Sequence, residues 1–187
     1  AQPDAVLLVI GAWEVYDHRW QGHTYEVGSP EYAELLENRM QQRIDRYKSI
    51  GAATVFLRVP CFGTDTPELG TERTDPKRVA WVNDRIRRVA RRNPGWVRII
   101  DPTSQLCEAG GTPRAKTPTG LTIRDDGAHF DVNSAAWLWN SWMAANLAAA
   151  FEGGAKVWPP EPAASTTTTT TAAGTTTTTA AGASSGG

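Results

Sequence analysis

Three histidines occur in 187 residues, and His129 stands in a setting suited to proton transfer. It belongs to the stretch Asp125-Asp126-Gly127-Ala128-His129-Phe130-Asp131, where Asp126 precedes it by three positions and Gly127 permits a tight, left-handed turn. A carboxylate beside an imidazole fixes one ring tautomer and stabilises the imidazolium formed when the other nitrogen takes a proton. That is two thirds of an Asp-His-nucleophile machine. Asp-Gly is also a common turn dipeptide, and a histidine beside a turn is often a surface hydrogen-bonder, so the local pattern leaves both readings open.

The surrounding elements must hold this turn in place. Val6-Leu7-Leu8-Val9-Ile10 is a continuous apolar run ending at Gly11, the pattern of a parallel strand covered on both faces. So apolar a strand makes a poor free edge, and a pairing partner outside this chain is expected for it. A loop over Ala12–His23 would then lie outside the carboxyl end of that strand, where open α/β sheets bind ligands. It carries Trp13, Glu14, His18, Trp20 and His23. For Trp13, a packing wedge and a substrate wall are equally good readings. His18 and His23 read as solvated loop residues, because no further metal ligands accompany them.

Ser29-Pro30 reads as an N-cap and first helical position, followed by Leu35, Leu36, Met40, Ile44 and Tyr47 at helical spacing, with Gly51 as the stop. A strand over Thr54–Val59 is ended by Pro60. Cys61–Thr74 is a long loop, of a length usually functional or lid-like. Asp75-Pro76 opens a second helix with Val79, Val82, Ile86 and Val89 as its buried stripe and Arg78, Arg85, Arg87, Arg88, Arg91 and Arg92 elsewhere. Val97–Asp101 is a third strand, and Pro102–Gly120 reads as a loop. Asp131 then caps a final helix from Val132 to about Phe151, apolar nearly all round and so expected to be buried or to lie against a neighbouring domain. The domain is thus residues 1–151. Residues 152–187 form a Pro/Thr/Ala/Gly-rich tail with two similar threonine tracts, too poor in apolar residues to order itself. Such a composition suits an extended stalk, O-glycosylated outside the cell, or a low-complexity terminus without a role.

Nineteen basic and twenty acidic residues give a net charge of −1, which argues against nucleic acid or an anionic membrane as partner, the arginine-rich helix face notwithstanding. Eight tryptophans serve either a core or a sugar-stacking surface. The longest apolar run is too short to cross a bilayer. Cys61 and Cys107 each follow a strand by a few residues. If those strands are parallel neighbours, both thiols emerge at one edge of the sheet, where a bridge is feasible and would stabilise by about 4 kcal/mol in the chain-entropy model. Two buried free thiols are the alternative. A bridge implies an oxidising, extracytoplasmic compartment.

The order strand, helix, strand, helix, strand, then Asp-x-x-His before a last helix resembles the carboxyl-terminal part of SGNH (GDSL-type) esterases and acyltransferases. The nearest likeness is the extracytoplasmic SGNH domain at the end of bacterial membrane acyltransferases that O-acylate glycans. Leu8-Val9-Ile10-Gly11-Ala12-Trp13-Glu14, Pro60-Cys61-Phe62, Leu106-Cys107 and Asp126-Gly127-Ala128-His129-Phe130 carry the likeness, over residues 4 to about 151. The resemblance implies a flavodoxin-like three-layer α/β/α sandwich with a parallel sheet. It implies His129 as general base, Asp126 as its orienting acid, and Gly11 in the block bordering the oxyanion hole, with Trp13 and Glu14 beside it. The Cys61–Cys107 bridge fits the extracytoplasmic setting. The chemistry implied is attack of a serine on an acyl ester, then transfer of the acyl group to water or a sugar hydroxyl, with no cofactor and no metal. An acylated glycan or small acyl ester would be the substrate, and an upstream membrane acyltransferase domain the tether.

Two departures from the family pattern stand out. The family's Gly-Asp-Ser nucleophile block lies upstream of everything matched here, and no serine of this chain has that setting. The family's oxyanion asparagine, two residues after the glycine, is Trp13 here, so that donor is either supplied by another group or lost, at several kcal/mol of transition-state stabilisation. The expectation is therefore a fragment of a longer enzyme, inactive alone. A non-catalytic carbohydrate-binding module with Trp-lined loops is the alternative, and a shortened domain pairing through its first strand is a third.

Overall fold

Parallel strands require crossover connections, and the two here are the helices whose caps are legible in the sequence. In the computed structural model, which describes residues 3–63 and 70–152, the chain runs β1 (Ala5–Val9), a hairpin of β2 (His18–Trp20) and β3 (His23–Tyr25), α1 (Pro30–Lys48), β4 (Ala53–Leu57), a 3-10 turn (Glu72–Thr74), α2 (Pro76–Arg92), β5 (Val97–Ile100), α3 (Thr103–Leu106), α4 (Val132–Leu138), a π-helical segment (Trp139–Met143) and α5 (Ala144–Glu152). The sheet is parallel in the order β1-β4-β5, with Ala5 opposite Ala53 and Thr54 opposite Val97. This is an α/β domain with helices packed on its three-strand sheet.

Strand alternation divides the core. Phe56 and Val97 point toward α1 and α2 and meet Leu36, Met40, Ile44, Val82, Ile86 and Val89. Val55, Leu57 and Ile100 point the other way, toward Trp142, Met143 and Leu147. The fully buried side chains among these, such as Phe56, Val55, Ile44 and Ile86, contribute roughly 1.5–3 kcal/mol each. Ser29 Oγ accepts the Tyr32 N–H at 3.1 Å to start α1, and Asp75 Oδ1 accepts that of Lys77 at 2.8 Å to start α2. The arginines of α2 are largely engaged in ion pairs: Arg85 and Arg92 reach Glu37 of α1, Arg85 and Arg88 reach Asp84, and Arg78 reaches Asp17. The basic strip therefore ties α2 to α1 and to the segment before β2.

Several expectations are corrected. The strands begin or end a residue or two away from their expected limits. The segment after β1 is not a plain loop, because β2 and β3 pair across a tight turn in which Gln21 (φ 51°) and Gly22 (φ 81°) are both left-handed, the geometry a two-residue hairpin needs. The Pro102–Gly120 segment contains α3. Of the two readings of the last helical run, burial on every side fails within the described residues, because Val132, Trp139 and Phe151 are exposed. Apart from these corrections, β1 has one neighbour among the described residues, β4, and Val9 is 68% exposed. The lid-like reading of Cys61–Thr74 depends on residues 64–69 and the reading of the tail on 153–187, both outside the described residues.

Beyond Leu57 the chain leaves the sheet, and a side chain takes over the ladder. Buried Asn83 of α2 accepts the Val59 N–H through Oδ1 and donates through Nδ2 to the Val59 carbonyl, both at 2.9 Å. That contact fixes the path of residues 59–63, on which the candidate site is built.

Candidate functional site

Cys61 and Cys107 are joined, with Cα atoms 5.9 Å apart, so the segments leaving β4 and β5 are covalently linked at the carboxyl edge of the sheet. Onto this link docks the turn that holds His129. Gly63 donates its N–H to the Gly127 carbonyl at 2.9 Å, and Gly127 has φ +75°. A Cβ at Gly127 would lie 2.7 Å from Gly63 Cα, so two backbones touch where only glycine fits.

Asp126 organises the turn with both carboxylate oxygens. Oδ1 accepts the N–H groups of Ala128 (2.9 Å) and His129 (2.7 Å), and Oδ2 meets His129 Nδ1 at 2.5 Å. Burial pushes the Asp126 carboxyl up, but the hydrogen bonds from the His129 ring and from the N–H groups of His129 and Ala128 outweigh it and hold the group well below the usual carboxylate range. Asp126 is thus ionised at neutral pH. Its partner's side chain is 74% exposed, and His129 Nε2 has no hydrogen-bond partner among the described residues. The ring borders a shallow depression of about 220 Å³ with Thr122, Ile123, Asp125, Phe130 and Asp131. Asp131 caps α4 by accepting the Ser134 N–H at 2.6 Å. An anchored carboxylate with an exposed imidazole can accept a proton from a hydroxyl presented at Nε2 and return it to a leaving group.

The other expected residues cluster separately. Gly11 (φ +118°) donates its N–H to Glu14 Oε2 at 2.6 Å, closing a single turn after β1. Trp13 stands 58% exposed on that turn, its ring 6.0 Å from that of Tyr16. His18 Nε2 lies 3.0 Å from the Trp13 carbonyl and His23 packs edge-on to Tyr25, so both rings serve the hairpin. Among the described residues no hydrogen bond joins Gly11 or Glu14 to His129. The two turns abut the same stretch of chain, Gly11 at Val59 and Gly127 at Gly63, which are at most roughly 14 Å apart along an extended backbone.

Sequence reasoning passed over the two arginines beneath the His129 turn. Arg73, only 3% exposed, donates through Nη2 to the Asp126 carbonyl at 3.2 Å. Arg124, 7% exposed, donates to the carbonyls of Cys61 (2.9 Å) and Leu106 (3.4 Å), with its guanidinium over the rings of Phe62 and Phe130. Burial pushes Arg124 down to about 10, partly offset by the Asp126 charge, so it stays cationic at neutral pH. The one available signal was the position of Arg124, two residues before Asp126. Among the described residues no group of three His, Cys, Asp or Glu side chains could hold a metal ion, and no helix is long and apolar enough to cross a membrane. Compared with known proteins, the sequence matches no family model and no curated protein.

Proposed function

We propose that this chain is the carboxyl-terminal portion of an SGNH-type acyl-ester hydrolase or O-acyltransferase, flavodoxin-like in topology, acting outside the cytoplasm on an acylated glycan or a small acyl ester. The observation that carries the reading is the Asp126–His129 pair: Nδ1 held at 2.5 Å and the opposite edge of the ring exposed. In this mechanism His129 Nε2 takes the proton of a serine hydroxyl as the oxygen attacks the acyl carbonyl. The proton then passes to the departing alcohol, and water or a sugar hydroxyl repeats the sequence on the acyl-enzyme. Asp126 stabilises the imidazolium formed at each step.

The serine comes from upstream polypeptide, for which the apolar edge of β1 that is unpaired among the described residues offers the place to pair, with a membrane acyltransferase domain as tether. The bridge between Cys61 and Cys107 supports an oxidising compartment. The Gly11 N–H is the backbone donor expected for the oxyanion, which would displace Glu14 Oε2 from it. Trp13 replaces the second donor by a flat wall.

The test is hydrolysis of a chromogenic acetyl ester by an upstream-extended polypeptide. His129→Ala should lower turnover by roughly 10²–10⁴-fold; equal turnover with and without the imidazole overturns the reading. The exposure of Trp13 and Trp20 on the segment after β1 favours a second reading, a carbohydrate-binding module. Glycan binding that survives His129→Ala but not Trp13→Ala, without any ester turnover, would support it.

A further inference from the structure

The His129 turn is flanked by Ile123 and Phe130, which pack with Leu106, Cys107 and Leu138, and its two functional side chains are held in line. Arg124 sits at the base of the turn: its carbonyl accepts the Gly127 N–H at 3.2 Å, and its side chain runs back under the turn. The guanidinium reaches one carbonyl on each side of the disulfide, Cys61 after β4 and Leu106 before Cys107. Phe62, from the first of those segments, and Phe130, the neighbour of His129, both present rings to it, at 5.9 and 5.8 Å. A planar cation with several fixed donors suits this place, and a flexible ammonium would not reproduce it.

We propose that Arg124 is a positioning residue: by bonding the carbonyls of Cys61 and Leu106 and carrying Phe130, it sets the His129 ring against Asp126. The bridge fixes where the two carbonyls stand, and Arg124 passes that geometry to the turn. Its role in a reaction rests on the acyl-transfer reading above, whereas its effect on the Asp126–His129 pair does not.

The experiment is proton NMR of the whole 187-residue chain at low temperature, observing the far-downfield resonance of the proton between His129 Nδ1 and Asp126 Oδ2, assigned by its loss in Asp126→Asn. Arg124→Met keeps much of the volume but removes the donors and charge; it should abolish or strongly broaden the resonance while the dispersed amide spectrum of the sheet persists. Arg98→Met is the control. That buried arginine of β5 donates to the carbonyls of Ala150 and Val97 instead, and its loss should lower the melting temperature while leaving the resonance in place. An unchanged resonance in folded Arg124→Met overturns the inference, as does an equal loss in Arg98→Met. If Arg124→Met does not fold, Arg124→Lys decides: a shifted or broadened resonance supports the inference, an unchanged one overturns it. Absence of the resonance from the native chain would overturn it too. A responsive resonance together with ester turnover indifferent to His129 would instead sink the acyl-transfer reading and leave the positioning role standing.

Discussion

Two turns stand at the carboxyl edge of the sheet, and each is closed by an acidic side chain reaching backbone N–H groups within three residues. In the first, Glu14 binds the Gly11 N–H. In the second, one oxygen of Asp126 satisfies two N–H groups and the other is left for the imidazole. Two bonds from the N–H groups of Ala128 and His129, at 2.9 and 2.7 Å, hold Oδ1 and so orient Oδ2 toward the ring. The histidines follow the same division. His18 directs a ring nitrogen to the Trp13 carbonyl, whereas His129 keeps Nε2 facing out. The two turns therefore differ in what the carboxylate holds besides the backbone: Asp126 also meets an imidazole through Oδ2, whereas Glu14 bonds the Gly11 N–H and no ring.

The turns also differ in their footing, which can be used to break the comparison. Replacing both Cys61 and Cys107 by alanine should lower stability by about 4 kcal/mol, the chain-entropy value for a separation of 46 residues. Hydrogen exchange at Ala128 and His129 should accelerate more than at Gly11, since the second turn rests on Gly63 and, through Arg124, on both bridged segments, whereas the first packs on Val59, which Asn83 holds as well. Equal acceleration at both would mean that the bridge stabilises the sheet alone.

Smaller effects are expected at the glycines. Gly127→Ala meets the backbone of Gly63 and should cost about 1–3 kcal/mol in chemical denaturation, with no side-chain change able to relieve it. Gly11→Ala meets the side chain of Val59 first, and the φ of +118° adds backbone strain of its own. Its cost should be partly shared with Val59→Ala, so that the double variant falls short of additivity by about 1 kcal/mol. Strict additivity would remove the distinction between a backbone and a side-chain seat.

Glu14→Gln keeps an acceptor for Gly11 and should change stability by about 1 kcal/mol or less. The acid limb of the stability curve sharpens the same contrast. Asp126 has a depressed pKa in the fold, so its contribution is complete above about pH 4, the ordinary carboxylate value, and is lost as pH falls through the lower folded value. Carbonyl NMR of Asp126 should follow that order, and a midpoint at or above the ordinary value would show that the turn does not hold its acid.

Much of the fold is legible in the sequence, for local reasons. Ser29-Pro30 and Asp75-Pro76 announce helices because the cap and the fixed φ of proline act within three residues. The Asp126 turn is legible because Gly127 and the spacing to His129 are local too. The hairpin at Gln21-Gly22 is not, because glutamine is not a residue that signals a left-handed position. Arg124 escapes notice because a guanidinium in a polar stretch reads as solvated, and only the meeting of segments about 60 residues apart in sequence buries it. The same applies to Arg98, whose head reaches the Ala150 carbonyl from within a strand.

The π-helical stretch Trp139–Met143 explains why the last helix looks apolar on every side. Ser134 and Leu138 face the interior before it, Trp142 and Met143 at its end, and Leu147 and Ala150 after it, a stripe displaced by one position from strict α-helical recurrence. Two half-stripes in different phase, overlaid on one helical wheel, leave no polar side. Such a widened turn accommodates a single extra residue without rotating the helix beyond it. Shortening Trp139–Met143 by one residue should thus be tolerated, returning the backbone to uniform α-helix while Leu138 and Leu147 keep their seats.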